Sequence, residues 1–174
     1  MFNLFTLFLV AIGLSMDTFS LSIAYGTIGL TKKKIWLLSI IVGIFHFVMP
    51  FFGNLIGSVV LSKLPFNSDI VVGIIFILIA FEMFIGNEEA MPLDKIGAFL
   101  IFGFSVSLDS FSVGLGISMI TSYPILAYSI FSLVSFSFTY IGLKFGKFLN
   151  NKFGKYSILL GAIILLILGL FYIF

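Results

Sequence analysis

Two aspartates lie in copies of one short motif, and each sits inside a long apolar stretch. Asp17 belongs to residues 15–21 (SMDTFSL) and Asp109 belongs to residues 107–113 (SLDSFSV), an offset of 92 positions. A carboxylate at the centre of a transmembrane helix costs about 2.5–3.5 kcal/mol on insertion scales, so it indicates a functional site or a dedicated partner. The same apolar stretches carry no Lys or Arg near the aspartates. A cation is therefore the natural counter-charge.

Hydroxyl-bearing residues accompany both aspartates at helical spacing. Ser20 shares a helix face with Asp17, and Ser112 shares one with Asp109. Carboxylate, hydroxyl and carbonyl oxygens are hard ligands that suit Mg²⁺, Ca²⁺ or Mn²⁺ rather than copper. The alternative is that each aspartate is protonated and bonded to a serine or a carbonyl, where it holds two helices together.

The single histidine, His46, lies on the same helix face as Pro50. Residues 53–57 (GNLIG) resemble residues 142–146 (GLKFG), an offset of 89 that pairs His46 with Ser135. We expect both residues to support the cation site, and an imidazole would shift its preference toward Mn²⁺ or another transition metal. The alternative for a lone histidine is a hydrogen-bonded core residue.

Three glutamates form a candidate entrance to this site. Glu82 is either part of the entrance or an interfacial residue whose carboxylate reaches the membrane surface. Glu88 and Glu89 form an acidic loop together with Asp94, and this loop is either a plain solvated loop or a weak collector of cations at the entrance.

The composition shows what kind of protein must position these residues. Of 174 residues, 61% are hydrophobic and 9% are charged, against about 25% charged in soluble domains. The mean hydropathy is +1.29. The sequence has no cysteine, which excludes disulfides and thiolate metal sites, and its net charge of +2 gives no support for a nucleic-acid partner. These values predict an integral membrane protein.

Six apolar stretches are each long enough to cross a bilayer as a helix. We place the spans at residues 3–25, 35–60, 68–86, 96–119, 123–145 and 155–173. The whole chain is then one all-α transmembrane domain, and the first span is too long for a cleaved signal peptide. The two motifs predict a repeat, with one copy at about 1–87 and the other at about 93–174. Because each copy has three spans, the second copy is inverted in the membrane.

Lysine placement predicts the orientation. Eight lysines lie in the connections between spans one and two, three and four, and five and six or at the span ends beside them, whereas only Lys63 lies on the other side. The positive-inside rule puts the eight-lysine side in the cytoplasm and both termini outside.

The aspartate motifs together with residues 50–57 resemble the bacterial manganese efflux pump family, MntP, over essentially the whole chain. The resemblance implies export of Mn²⁺ across the bacterial inner membrane by a secondary mechanism. Asp17 and Asp109 match the aspartates that this family uses for export. Mn²⁺ is then the substrate, and no permanently bound cofactor is expected. Some family members carry Glu or Gln at the position of His46 and Arg near that of Glu82.

A related branch, the YtaF-like sporulation membrane proteins, shares the motif at residues 107–114 but usually has a longer middle loop. The alternatives are therefore a non-transporting sporulation or assembly protein, or an exporter of another cation or small solute. No nucleophile–base pair and no phosphate-binding glycine loop is present, so we do not expect an enzyme. The expected partners are a divalent cation and the lipid bilayer, and the sequence leaves the oligomeric state open.

Overall fold

The computed structural model describes residues 4–60 and 94–153, with the single positions 77, 163, 166, 167 and 170. Within these ranges the ordered elements are five helices: α1 (Leu4–Gly26), α2 (Lys32–Val60), α3 (Ile96–Ser105), α4 (Leu108–Ile120) and α5 (Pro124–Phe153). The predicted spans 68–86 and 155–173 lie outside the described residues, apart from those single positions.

Four stretches of the described chain are long and apolar enough to cross a membrane. They are Leu7–Gly26, Lys32–Ile56, Ile96–Leu115 and Pro124–Lys152. A bilayer core about 30 Å thick needs about 20 helical residues, so each stretch suffices. The protein is therefore a multi-pass membrane protein, as the composition predicts.

The helix ends differ from the predicted spans in one instructive way. The fifth span was expected to end at residue 145, but α5 continues to Phe153. Lys147 and Lys152, which were expected in a loop, therefore lie on the last turns of this helix, as does Lys144, which was expected at the end of the span. Long lysine side chains can extend from such positions to the membrane surface.

The predicted span 96–119 is interrupted in the middle. Helix α3 ends at Ser105, α4 begins at Leu108, and the amide of Ser107 donates to the Phe104 carbonyl at 3.2 Å, an i→i−3 bond. The Ser105 hydroxyl donates to the Ile101 carbonyl at 2.7 Å, and the Ser107 hydroxyl donates to Phe104 at 2.9 Å. These hydroxyls compete with the amides for helix carbonyls, which bends or breaks a helix.

Helices α2 and α5 form the centre of the bundle. Helix α5 packs against α1 and α2, and α2 also packs against α3 and α4. Gly43 of α2 lies against Ser132 of α5, with 3.3 Å between an added Cβ and the Ser132 carbonyl oxygen. The 89-residue offset relates these two positions to each other. The central contact therefore maps onto itself when the two halves of the sequence are exchanged.

Two glycines let the outer helices approach the central pair in the same way. A Cβ added at Gly142 of α5 would lie 2.8 Å from the Phe19 carbonyl oxygen of α1. A Cβ added at Gly53 of α2 would overlap the Phe111 carbonyl oxygen of α4. The offsets of 89 and 92 relate the first contact to the second, so α1 lies on α5 as α4 lies on α2.

One end of the bundle is joined by lysines. The Lys34 ammonium pairs with Asp94, and this hydrogen bond lowers the pKa of the Asp94 carboxyl. Lys147 donates to the Leu30 carbonyl at 2.7 Å, which places the end of α5 beside the loop between α1 and α2. Val60, at the far end of α2, is about 40 Å of helix away from Lys34. Val60 and Asp94 thus lie at opposite ends of the bundle.

Candidate functional site

A layer of buried polar side chains crosses the middle of the bundle. An apolar cluster that includes Tyr25 and Phe102 lies on one side of it, and a cluster that includes Ala11 and Tyr128 lies on the other. The layer consists of Ser15, Thr18, His46, Ser107, Ser110, Ser135 and Thr139, each with no exposed surface. Because buried polar groups are costly without partners, this layer is the first candidate for a functional site.

The two aspartates flank this layer on different helices. Asp17 is exposed on the outer face of α1, and Asp109 is half-buried in the first turn of α4. Their carboxylates are close enough for their charges to interact. The Ser110 amide donates to Asp109 Oδ1 at 2.7 Å, and the start of a helix also favours a negative charge. The helix break thus gives the Asp109 carboxylate one hydrogen-bond donor from the backbone of the first turn of α4.

His46 holds a defined ring orientation inside the layer. Its Nδ1 lies 3.0 Å from the Val42 carbonyl, so Nδ1 carries the proton and donates it. In the neutral ring, Nε2 is then a hydrogen-bond acceptor, and the Thr18 hydroxyl lies 3.4 Å from it. A histidine whose other nitrogen donates to a backbone carbonyl is the usual form of a metal ligand in proteins.

Ser135 is held at the same level on α5. Its hydroxyl lies 2.9 Å from the Ser15 hydroxyl, which itself donates to the Ala11 carbonyl at 2.7 Å. Since each hydroxyl has one proton, Ser135 is the donor to Ser15. His46 and Ser135, the two positions that the 89-residue offset pairs, therefore both contact α1.

The remaining predicted residues are not part of the buried layer. Ser20 and Ser112 are exposed, and the Ser20 hydroxyl donates to the Met16 carbonyl at 3.1 Å. They lie on the aspartate side of their helices, as their spacing predicted. Glu82, Glu88 and Glu89 are outside the described residues. Within the described ranges, no three His, Asp or Glu side chains lie close enough together to hold a metal ion.

The sequence reasoning missed the four hydroxyls of the layer that lie within the aspartate motifs. Ser15 and Thr18 on α1, and Ser107 and Ser110 on α4, surround the aspartates within the motif itself. The sequence analysis followed the face that carries the aspartates, whereas these hydroxyls lie on the opposite, buried face. Their recurrence at the 92-residue offset was the available signal.

The fold and the site define a multi-pass membrane protein with paired acidic residues in its spans. The chain belongs to the family described as "Putative manganese efflux pump", whose sequence profile matches residues 1–84 and 32–173. This result confirms the family that the motifs predicted.

Relatives that bear the same name are similar over nearly their full length. The protein from Bacillus pumilus is 36% identical over 97% of this chain and 94% of its own length. The protein from Bacillus licheniformis is 33% identical over 97% and 92%, and that from Bacillus cereus strain B4264 is 32% identical over 99% and 97%. No solved structure matches this chain.

Proposed function

We propose that this protein exports divalent manganese from the cytoplasm as a secondary transporter, through a site near the membrane midplane built on Asp17 and Asp109. The observation that carries the proposal is the presence of Asp17 and Asp109 inside two apolar spans of a chain whose relatives are named as manganese efflux pumps. Two neighbouring carboxylates attract a divalent cation because it compensates both charges at once.

The supporting ligands follow from the geometry around the aspartates. His46 offers the Nε2 lone pair, and Ser135, Ser20 and Ser112 offer hydroxyl oxygens of lesser weight. Mn²⁺ accepts both imidazole nitrogen and oxygen ligands. Among the described residues, His46 and the aspartates do not form one tight group. The cation therefore takes its other ligands from hydroxyls, carbonyls and water, or the helices move to bring His46 and the aspartates together around it.

The proposed architecture is two inverted three-helix repeats, at about 1–87 and 93–174. Three observations support it. The contact of Gly142 with α1 repeats as that of Gly53 with α4, and the contact of Gly43 with Ser132 maps onto itself. The chain also leaves α2 at one end of the bundle and enters α3 at the other, which fits an odd number of crossings between them. In such transporters the site alternates between the two sides as one half rocks against the other.

The test is total cell manganese under manganese load, in a strain that lacks its own exporter. Cells expressing the wild type should hold less manganese than cells with empty vector. Asp17→Asn and Asp109→Asn should each raise manganese to the vector level, because Asn keeps the shape of the side chain but removes the charge that binds the cation. Ser137→Ala is the control, since Ser137 is exposed on α5 and its hydroxyl donates to the Leu133 carbonyl of the same helix at 2.8 Å, and it should export like the wild type.

Two outcomes contradict the proposal. If the wild type and the vector are equal in cells whose membranes contain the protein, manganese is not the substrate. If Asp17→Asn and Asp109→Asn export normally, the site lies elsewhere. A purely structural role for the aspartates predicts a large loss of thermal stability in both variants and no stabilisation of the wild type by Mn²⁺.

A further inference from the structure

Within the buried polar layer, the two halves of the sequence make different contacts. His46 and Ser135 are related by the 89-residue offset, yet both contact helix α1. Ser135 lies 2.9 Å from Ser15, and His46 lies 3.4 Å from Thr18. In this structure, α1 therefore supplies the hydroxyl that contacts His46 and also the one that contacts Ser135.

The equivalent hydroxyls on α4 make different contacts. The 92-residue offset relates Ser15 to Ser107 and Thr18 to Ser110. The Ser107 hydroxyl bonds the Phe104 carbonyl inside the helix break. The Ser110 hydroxyl is fully buried and, among the described residues, makes no hydrogen bond to another helix. The two α4 hydroxyls therefore contact neither His46 nor Ser135 in this structure, whereas the equivalent α1 hydroxyls contact both.

We infer that Ser15, Thr18, Ser107 and Ser110 are positioning residues that take turns in holding His46 and Ser135. In the present state α1 holds both. In the opposite access state α4 holds both, with Ser107 bonded to His46 and Ser110 bonded to Ser135. The inference rests on the proposed transport function and inverted repeats, and it names the contacts that change.

The physical reason is the near-equality of the two arrangements. Helix α4 already lies along α2 as α1 lies along α5, through the matched contacts of Gly53 and Gly142. Exchanging the conformations of the two halves therefore replaces two polar contacts by two equivalent ones. The number of hydrogen bonds stays nearly constant in such an exchange, so the two states remain close in free energy. The side of the membrane to which the site is open changes. The central contact of Gly43 with Ser132 needs no change.

Cysteine cross-linking tests the exchange directly, because the natural sequence has no cysteine. Ser15→Cys with Ser135→Cys reports the present state, and Ser110→Cys with Ser135→Cys reports the exchanged state. Both pairs share one cysteine, so each is the matched control of the other. Membranes are treated with a metal-free oxidant, with and without Mn²⁺, and the cross-linked fraction is measured. We expect the first pair to link without Mn²⁺, and the second to link increasingly, at the expense of the first, as Mn²⁺ is added.

The outcomes separate this inference from the proposed function. A 110–135 link that stays at the background of the single-cysteine variants, in protein that exports Mn²⁺, overturns the inference and leaves the function intact. A Mn²⁺-independent exchange of links in protein that fails to export Mn²⁺ supports the exchange and overturns manganese as the substrate. Failure of both export and exchange overturns both.

A second measurement needs no cysteine. Ser15→Ala weakens only the present state and Ser110→Ala weakens only the exchanged state, each by about fivefold in population for one lost hydrogen bond. Hydrogen–deuterium exchange of peptides 11–20 and 103–112 reads out the shift. Ser15→Ala should increase protection of peptide 103–112, whereas a merely structural role leaves that distant peptide unchanged and so overturns the inference. Ser15→Thr keeps the hydroxyl and should restore the wild-type pattern.

Discussion

At the scale of single residues, His46 has the most specific geometry in the site. The Val42 carbonyl accepts the Nδ1 proton and leaves Nε2 as a nitrogen donor within the polar layer. Nitrogen ligands favour transition metals, whereas Mg²⁺ and Ca²⁺ prefer oxygen alone. The ring therefore bears on which cation the proposed site selects.

We predict that His46→Gln lowers the preference for Mn²⁺ over Mg²⁺ and Ca²⁺ on the order of tenfold, since metal sites respond by this much to changed ligand chemistry. The measurement is Mn²⁺ transport into inverted membrane vesicles against excess Mg²⁺ or Ca²⁺. Ser39→Ala is the control, because the buried Ser39 hydroxyl of α2 donates to the Ile35 carbonyl of its own helix at 2.8 Å. An unchanged preference in His46→Gln would mean that His46 is a core residue and not a ligand.

The sequence allowed the aspartates to be predicted but not the buried hydroxyls beside them. Charged residues in an apolar helix stand out by type alone. The side of that helix that faces the bundle is harder to predict, because a membrane helix is apolar on all sides and so has no distinct apolar face. Asp17 and Ser20 do share a face, but it is the exposed one, whereas Ser15 and Thr18 face α2 and α5. Only packing against neighbours decides between the two faces.

At the scale of the helices, the sequence allowed each described span to be predicted, but it did not show whether a span is one continuous helix. The described spans follow directly from apolar length. The break between Ser105 and Leu108 carries no proline, which is the usual signal of a kink. Two serine hydroxyls bond helix carbonyls at the break, yet the Ser15 hydroxyl makes the same kind of bond in α1, which remains helical there. A local pattern of small and hydroxyl residues thus permits a break without requiring it.

The helix contacts depend on two equivalent glycines, and this yields a stability prediction. Gly53→Ala and Gly142→Ala should each destabilise the protein by about 1–3 kcal/mol, the range for overpacked sites, because the added methyl group meets a backbone carbonyl that cannot move independently. Gly13→Ala is the matched control, since a Cβ there has open space, and alanine is the better helix former. Thermal unfolding in detergent, followed by Trp36 fluorescence, measures all three. Equal stability of Gly53→Ala and the wild type would contradict the close approach of α2 and α4.

At the scale of the whole molecule, the lysines mark one end of the bundle. Lys34 pairs with Asp94, and Lys147 bonds Leu30, so the start of α2, the start of α3 and the end of α5 meet there. The sequence predicted this grouping from loop charge, although it placed the last lysines in a loop and not on α5. The grouping leaves open which side of the membrane this end faces. That choice matters because two inverted halves look alike from either side, so direction of transport has to come from orientation.

Orientation is testable with single cysteines at the two ends. The positive-inside rule predicts that the lysine end is cytoplasmic. Ser122→Cys, in the exposed turn between α4 and α5, should react with a membrane-impermeant maleimide in intact cells. Asn151→Cys, exposed on the last turn of α5 beside Lys152, should react only after the cells are permeabilised. The reverse pattern would place the lysine end outside, and labelling of both cysteines in intact cells would indicate that the chain inserts in both directions.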